Sequence, residues 1–293
     1  METHIAIKQE HPTRLQEYGI GVFDGIPTKS ALKKAIKKGL ILVDGKIATT
    51  ATFIKGKEVI TYNKPAASQS KKKLVLDLEV LYEDDYLAII NKPAGILVSG
   101  NTFKTIDNAL EQNLAKSNRA DATKPRPVHR LDYPTTGVLL IGKTTKSIIA
   151  LNKLFENKEI SKTYFAITIG EMKKEGLIDS PLDGKKAISH FKVLASATSK
   201  RFEYLNLVQL NPKTGRKHQL RKHLASIGNP ILGDKDYGIL GEILKGKGLY
   251  LHAYSLKFTH PFTNEPVTIA KEFPKKFGKV FPEIKLEAPF YKT

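Results

Sequence analysis

The 293-residue chain contains no cysteine. That absence excludes disulfides, a catalytic thiolate and cysteine-ligated zinc. No apolar run approaches the roughly 20 residues that a spanning helix needs. No cationic amphipathic helix with bulky apolar residues stands out as a membrane-surface element. Met1-Glu2-Thr3-His4 lacks a charged segment leading into an apolar one, so secretion is not expected. The eight histidines show no HExxH spacing, and no metal site is expected. Acidic residues are scarce beside basic ones: 29 Asp and Glu face 48 Lys and Arg, for a formal net charge of +19. Such an excess concentrates polyanions and steers association, which makes nucleic acid the expected partner. The plain expectation is a cytoplasmic protein.

What is present fits a globular protein with one large domain or a large plus a small one, since 41% of residues are apolar. Residues 1–73 carry net +8 and the remaining 220 carry net +11, so the first segment is more than twice as basic per residue. The stretch NKPAASQSKKK, residues 63–73, has no large apolar side chain and reads as a hydrated linker. The expected organisation is therefore a small basic α+β domain over 1–62, the linker over 63–73, and a larger domain over 74–293.

In the small domain, Thr28 or Ser30 can N-cap a helix over 29–38. Its Leu32, Ala35 and Ile36 share one face, while Lys33, Lys34, Lys37 and Lys38 point elsewhere. Gly39 closes it, and Asp44-Gly45 between apolar runs predicts a hairpin. In the larger domain, strands are expected over 75–82, 86–91 and 96–99, joined by turns at 83–85 and 92–95. Residues 100–127 read as a polar connection with a short helix over 106–114. A buried strand over 137–141 precedes a helix from about Thr145, with Ile148, Leu151, Leu154 and Phe155 on one side. Further strands are expected over 162–169, 187–194, 202–210 and 249–258. Many strands in hairpin-like order with few helices give an α+β fold on a mainly antiparallel mixed sheet with flanking helices.

Residues 137–144, GVLLIGKT, match the phosphate-binding loop GxxxxGK[ST] letter for letter. Such a loop needs its four middle residues to wrap a phosphate with their N–H groups. Val138-Leu139-Leu140-Ile141 instead favour burial as a strand. In an extended segment the two glycines would stand about 17 Å apart. The match is read as accidental.

Three segments carry candidate chemistry. Asp132 lies at the mouth of the buried strand, where an aspartate is ordinarily a turn former. Arg216-Lys217-His218-Gln219-Leu220-Arg221 opens a helix that Gly228 ends, with Leu220, Leu224 and Ile227 as its apolar stripe. Arg221 falls at the margin of that stripe and can reach a partly buried partner. Lys217 and Lys222 read as a solvated basic face. Along 162–169, Phe165, Ile167 and Ile169 share one side. Tyr164 shares the other with the smaller Ala166 and Thr168.

Together, HRLDxxTTG (129–137), KTYFAITIG (162–170) and GRKHQLRKHLASIGNPILGD (215–234) resemble the RluA-type pseudouridine synthases. The resemblance spans roughly 75–270, including VLYEDDYLAIINKPAGILV (80–98) and LHAYSLKFTHPFT (251–263). Thr136 stands where the family often has serine, an exchange that keeps the hydroxyl. The resemblance implies that Asp132 is the catalytic carboxylate and Arg221 its ion-pair partner. It also implies that Tyr164 stacks on the target uracil, and that Arg130 fills the gap left by an extruded base. His129, Arg216 and His218 are further candidates for RNA contact. The basic helix and hairpin of the small domain resemble the S4 RNA-binding module, which makes Lys33, Lys34 and Lys37 candidates there. The implied activity is isomerisation of uridine in ribosomal RNA, or alternatively transfer RNA. The reaction has no redox change and no group donor, so no cofactor is expected, and the enzyme is expected to be a monomer.

Overall fold

The computed structural model describes residues 1–23, 26, 28–64, 74–244 and 246–283. They form two compact units, Met1–Lys72 and Lys73–Thr293. Residues 65–73, most of the expected linker, lie outside the described residues.

The first unit runs β1 (Glu2–Ile5), β2 (Thr13–Arg14), α1 (Leu15–Tyr18), α2 (Lys29–Lys37), β3 (Ile41–Val43), β4 (Lys46–Ile47), β5 (Phe53–Ile54) and β6 (Val59–Tyr62). Thr28 caps α2, its Oγ1 accepting from Ala31 N at 3.2 Å. Gly39, at φ 68°, takes the left-handed conformation that ends the helix. Leu32, Ala35 and Ile36 are buried, while Lys33, Lys34, Lys37 and Lys38 are exposed. β3 and β4 pair around Asp44 and Gly45, which both adopt positive φ as the tight hairpin requires. The sheet order is β1-β6-β3-β4, and β2 pairs with β5.

The second unit begins with β7 (Glu79–Glu83), β8 (Leu87–Lys92), α3 (Ile106–Asn113), β9 (Ala122–Pro127), β10 (Thr136–Thr144) and α4 (Thr145–Glu156). It continues through β11 (Ser161–Ile169), β12 (Glu175–Ile178), β13 (Ser189–Ser199), β14 (Glu203–Pro212), α5 (Gln219–Ser226), β15 (Leu251–Thr259), β16 (Pro266–Ala270) and α6 (Lys275–Gly278). Eight strands lie in the order β12-β13-β14-β11-β15-β10-β8-β7, with β16 on β15 and β9 on β10. The pairing is antiparallel except between β10 and β15. The fold is α+β on a mainly antiparallel mixed sheet. Among the described residues no helix is long and apolar enough to cross a membrane.

Several local expectations are corrected. Residues 96–99 form no strand. The carbonyls of Leu97 and Val98 instead accept from the N–H groups of Ile106 and Asp107, satisfying the first turn of α3. The polar connection contains β9, an edge strand that tolerates Pro125 and Pro127. β7 starts later than expected, and the short β12 and β16 had no distinct periodic signal. Helix α5 begins at Gln219 rather than Arg216, and Ile227 is 41% exposed rather than part of the apolar stripe. Along β11 both sides are covered from Phe165 to Ile169, because Leu220, Leu224, Ile231 and Leu232 join Phe165, Ala166 and Ile167 in one buried cluster.

The phosphate-loop match dissolves into structural duties. Gly137 has φ 115°, and a Cβ there would lie 2.0 Å from the Ala253 carbonyl oxygen, so close approach of β15 demands glycine. Val138 to Ile141 are fully buried. Lys143 is buried and donates to Glu83 Oε1 at 2.6 Å and Asp84 O at 2.5 Å. Thr144 forms a capping box with Ser147 at the start of α4.

Candidate active site

Asp132 sits in the loop between β9 and β10, and an inward lysine braces that loop. Lys92, at the end of β8, is fully buried. Its Nζ donates to Pro93 O (2.9 Å), Tyr133 O (3.3 Å) and Thr135 O (2.8 Å). Gly95 N also donates to Tyr133 O at 2.9 Å, and Thr135 N donates to Asp132 O at 3.1 Å. The backbone on the C-terminal side of Asp132 is thus tied to the β8 turn. Burial drives the Lys92 ammonium down to about 8, with the charge of Asp132 opposing the shift. One residue further on, Thr136 Oγ1 lies 2.7 Å from His252 Nδ1, whose Nε2 is 2.9 Å from Lys271 O. The imidazole therefore donates to the carbonyl through Nε2 and accepts from the threonine hydroxyl, and burial holds it near 4, neutral at ordinary pH.

The Asp132 side chain is 25% exposed, and each oxygen faces one basic group. Oδ2 stands 3.9 Å from Arg221 Nη1, and Oδ1 stands 3.9 Å from His218 Nε2. Among the described residues no donor lies within hydrogen-bond distance of this carboxylate. It is surrounded but not clamped, and so is available to a ligand.

Arg221 is held elsewhere. Its Nε and Nη2 donate to Asp234 Oδ2 (2.7 Å) and Oδ1 (2.6 Å), and Nη2 also donates to Asp236 Oδ2 (2.7 Å). Both the guanidinium and Asp234 are buried, whereas the Asp236 side chain is 60% exposed. Burial opposes the charge on Arg221, but its bonds to Asp234 and Asp236 outweigh burial and hold it firmly protonated. Asp234 was not singled out in the sequence. The signal for it was physical: an arginine on the buried side of a helix needs a buried carboxylate. Asp234 follows Gly233, where a Cβ would meet the Gly248 carbonyl oxygen at 2.1 Å.

Tyr164 lies on β11 at a register shift against β15, where Thr163 pairs with Ser255 and Tyr164 with Ala253. Its ring packs against both main core clusters. Burial raises its phenol well above the ordinary range, and the nearby charge of Asp132 raises it further. The proton therefore stays on oxygen in the free protein.

The other expected residues take distinct positions. Arg130 is exposed, with no ion pair among the described residues. His129 turns inward: its Nε2 accepts from Leu140 N at 3.0 Å, and its ring lies 4.8 Å from that of Phe155. Burial, with the Lys162 charge added, lowers it to about 3, so it is a neutral acceptor for the strand. Arg216 is exposed and donates through Nε to Lys186 O at 3.0 Å. Gln219, also not anticipated, is buried and uses its whole amide. It accepts from Thr214 Oγ1 (2.7 Å) and Arg216 N (3.0 Å), and donates to Ile188 O (2.9 Å) and Ser189 Oγ (2.9 Å). That anchor fixes the start of α5, and with it His218 and Arg221. Lys33, Lys34 and Lys37 line the exposed face of α2 in the first unit.

Comparison with known proteins is consistent in kind. A family described as RNA pseudouridylate synthase matches residues 86–226. The chain is 30% identical to the ribosomal large subunit pseudouridine synthase D of Xanthomonas campestris pv. campestris, over 86% of this chain and 83% of that protein. It is 33% identical to the tRNA pseudouridine synthase C of Vibrio vulnificus, over 70% of this chain and 94% of that one. Among solved structures, human RNA pseudouridylate synthase domain containing 4 superposes with a TM-score of 0.57 at 27% identity, covering 72% of this chain and 95% of that one.

Proposed function

The chain belongs to the RNA pseudouridylate synthase family, and from that membership we propose how its own residues carry out the isomerisation of uridine in RNA. Asp132 is the catalytic carboxylate, and the observation that carries this is its setting. It is partly exposed, backed by the Lys92-braced loop, and faced on its two oxygens by Arg221 and His218 at 3.9 Å. A carboxylate so placed stays accessible while basic groups stabilise its charge.

The target uridine leaves its stack, and Arg130, exposed beside the site, occupies the vacated space. A planar guanidinium offsets part of the few kcal/mol that unstacking costs. Tyr164 offers a ring against which the uracil packs, with its hydroxyl still protonated. With Asp132 ionised, the C1′–N1 bond breaks, the uracil turns and C5 joins C1′. The C5 proton is lost and N1 gains one, so the net change is an isomerisation that consumes no cofactor. The arrangement serves equally an attack of Asp132 on C1′ and removal of a sugar proton.

Ribosomal RNA is the substrate we favour, supported by the relative named for the large ribosomal subunit. The small unit, with Lys33, Lys34 and Lys37 exposed on α2, acts as an S4-like RNA-binding domain ahead of a catalytic domain over 74–293. The protein works as a cytoplasmic monomer. Mapping pseudouridine by carbodiimide labelling in a deletion strain, complemented with the wild type or with Asp132→Asn, tests the proposal. Sites restored by the wild type and not by the variant are expected. Equal restoration by both overturns the role of Asp132.

A further inference from the structure

Arg221 is largely consumed by Asp234 and Asp236, which leaves the second basic neighbour of Asp132 to be explained. His218 immediately precedes α5 with φ 54° and ψ 27°, a left-handed conformation uncommon for a side chain of its size. This places its imidazole between two groups. Nδ1 is 2.9 Å from the Tyr237 hydroxyl, and Nε2 is 3.9 Å from Asp132 Oδ1. Tyr237 is itself fixed by the carboxylate that clamps Arg221. Its N–H donates to Asp234 Oδ1 at 3.1 Å, and its ring lies 5.0 Å from the Arg221 guanidinium carbon. The His218 and Tyr237 rings meet edge to face at 5.8 Å and 75°.

The hydrogen-bond inventory then sets the tautomer. If Nδ1 accepts from the phenol, Nε2 carries the proton and points it at Asp132. The opposite tautomer would aim a lone pair at a carboxylate, which is repulsive. We propose that His218 is a positioning residue for Asp132, with the Tyr237 hydroxyl holding the imidazole so that Nε2–H is directed at Oδ1. The 3.9 Å gap closes when the nucleotide fills the site, as loose hydrogen bonds of free enzymes commonly do. The carboxylate is then steadied through Oδ1 by His218 while Arg221 faces Oδ2. This rests on Asp132 being the catalytic group.

The test uses the full chain and total RNA labelled with [5-³H]uridine from a strain lacking the protein, reading tritium released as the C5 proton is lost. Tyr237→Phe keeps the ring under Arg221 and removes only the hydroxyl. The saturating rate is expected to fall between about threefold and tenfold, the range for one neutral hydrogen bond. The half-saturating RNA concentration should stay unchanged, and the unfolding midpoint should fall by no more than a few degrees. At position 218, glutamine carries a donor near the place of Nε2, whereas asparagine reaches only as far as Nδ1 but suits the left-handed backbone better. His218→Gln is expected to be faster than His218→Asn. A purely structural role reverses that order. A wild-type rate for Tyr237→Phe, or asparagine matching or exceeding glutamine, overturns the positioning role. If either occurs while Asp132→Asn is inactive, the carboxylate reading stands alone. Full release by Asp132→Asn removes both.

Discussion

Replacing Asp234 with alanine should be strongly damaging to the site although the residue touches no substrate. The side chain is fully buried and receives two charge-assisted bonds from Arg221, at 2.7 and 2.6 Å, and two backbone N–H bonds, from Asp236 and Tyr237. Removing one partner of a buried pair leaves an uncompensated charge, which costs about 3–5 kcal/mol. Asp236, 60% exposed, also accepts from Arg221, but a solvent-screened pair is worth about 0–1 kcal/mol and cannot replace the loss. At about 2–4 °C per kcal/mol for a domain of this size, Asp234→Ala should lower the unfolding midpoint by roughly 10 °C, and Asp236→Asn by about 4 °C or less. Activity should fall with Asp234→Ala even well below the midpoint, because Arg221 Nη1 and the Tyr237 ring lose their common anchor. Thermal unfolding followed by circular dichroism, with tritium release measured at low temperature, reads both effects. A shift below about 3 °C for Asp234→Ala would refute the claim that this carboxylate anchors the arginine.

Lys92 has a folded value of about 8 against 10.5, so between those limits the unfolded chain binds more protons and stability rises with pH. Relative to Lys92→Met, the wild type should gain on the order of 2 kcal/mol between pH 7 and pH 10 by urea unfolding; parallel curves would show that the ammonium is not desolvated. Gly137→Ala forces a Cβ onto the Ala253 carbonyl at a positive φ, and should cost more than about 3 kcal/mol or prevent folding. A soluble variant with a wild-type midpoint would contradict the close approach of β10 and β15. Lys33, Lys34 and Lys37 replaced together by glutamine should reduce the slope of log affinity against log salt by about 2 to 3, close to one unit per phosphate contact. An unchanged slope would mean that the α2 face does not meet RNA.

Legibility in the sequence followed the range of the interactions. Helix α2, the Asp44-Gly45 hairpin and the buried run at 138–141 are set by neighbouring residues, and their periodicity and turn chemistry announced them. Asp132 and Arg221 become candidates only through extended motifs, since taken singly an aspartate beside a turn and an arginine on a basic helix are ordinary. Lys92 was read only as part of a turn. Nothing local marks a lysine as buried when two of its three acceptors come from the Asp132 loop, about forty residues on. Asp234 and Tyr237 were hidden for the same reason, their roles existing only once α5 and the loop after it meet. His129 shows the converse: adjacent to the catalytic candidates in sequence, it is turned into the strand by its bond to Leu140 N. The strand misassigned at 96–99 had the right composition, but its carbonyls serve the start of α3.

Whether Asp132 carries the reaction is read by tritium release from [5-³H]uridine-labelled RNA under single-turnover conditions with wild type and Asp132→Asn. The side chains are nearly the same size, so RNA affinity should be retained, measured by filter binding, while release falls to background. Release by Asp132→Asn at a rate near that of the wild type, with RNA still bound, would show that the Asp132 carboxylate does not carry the reaction.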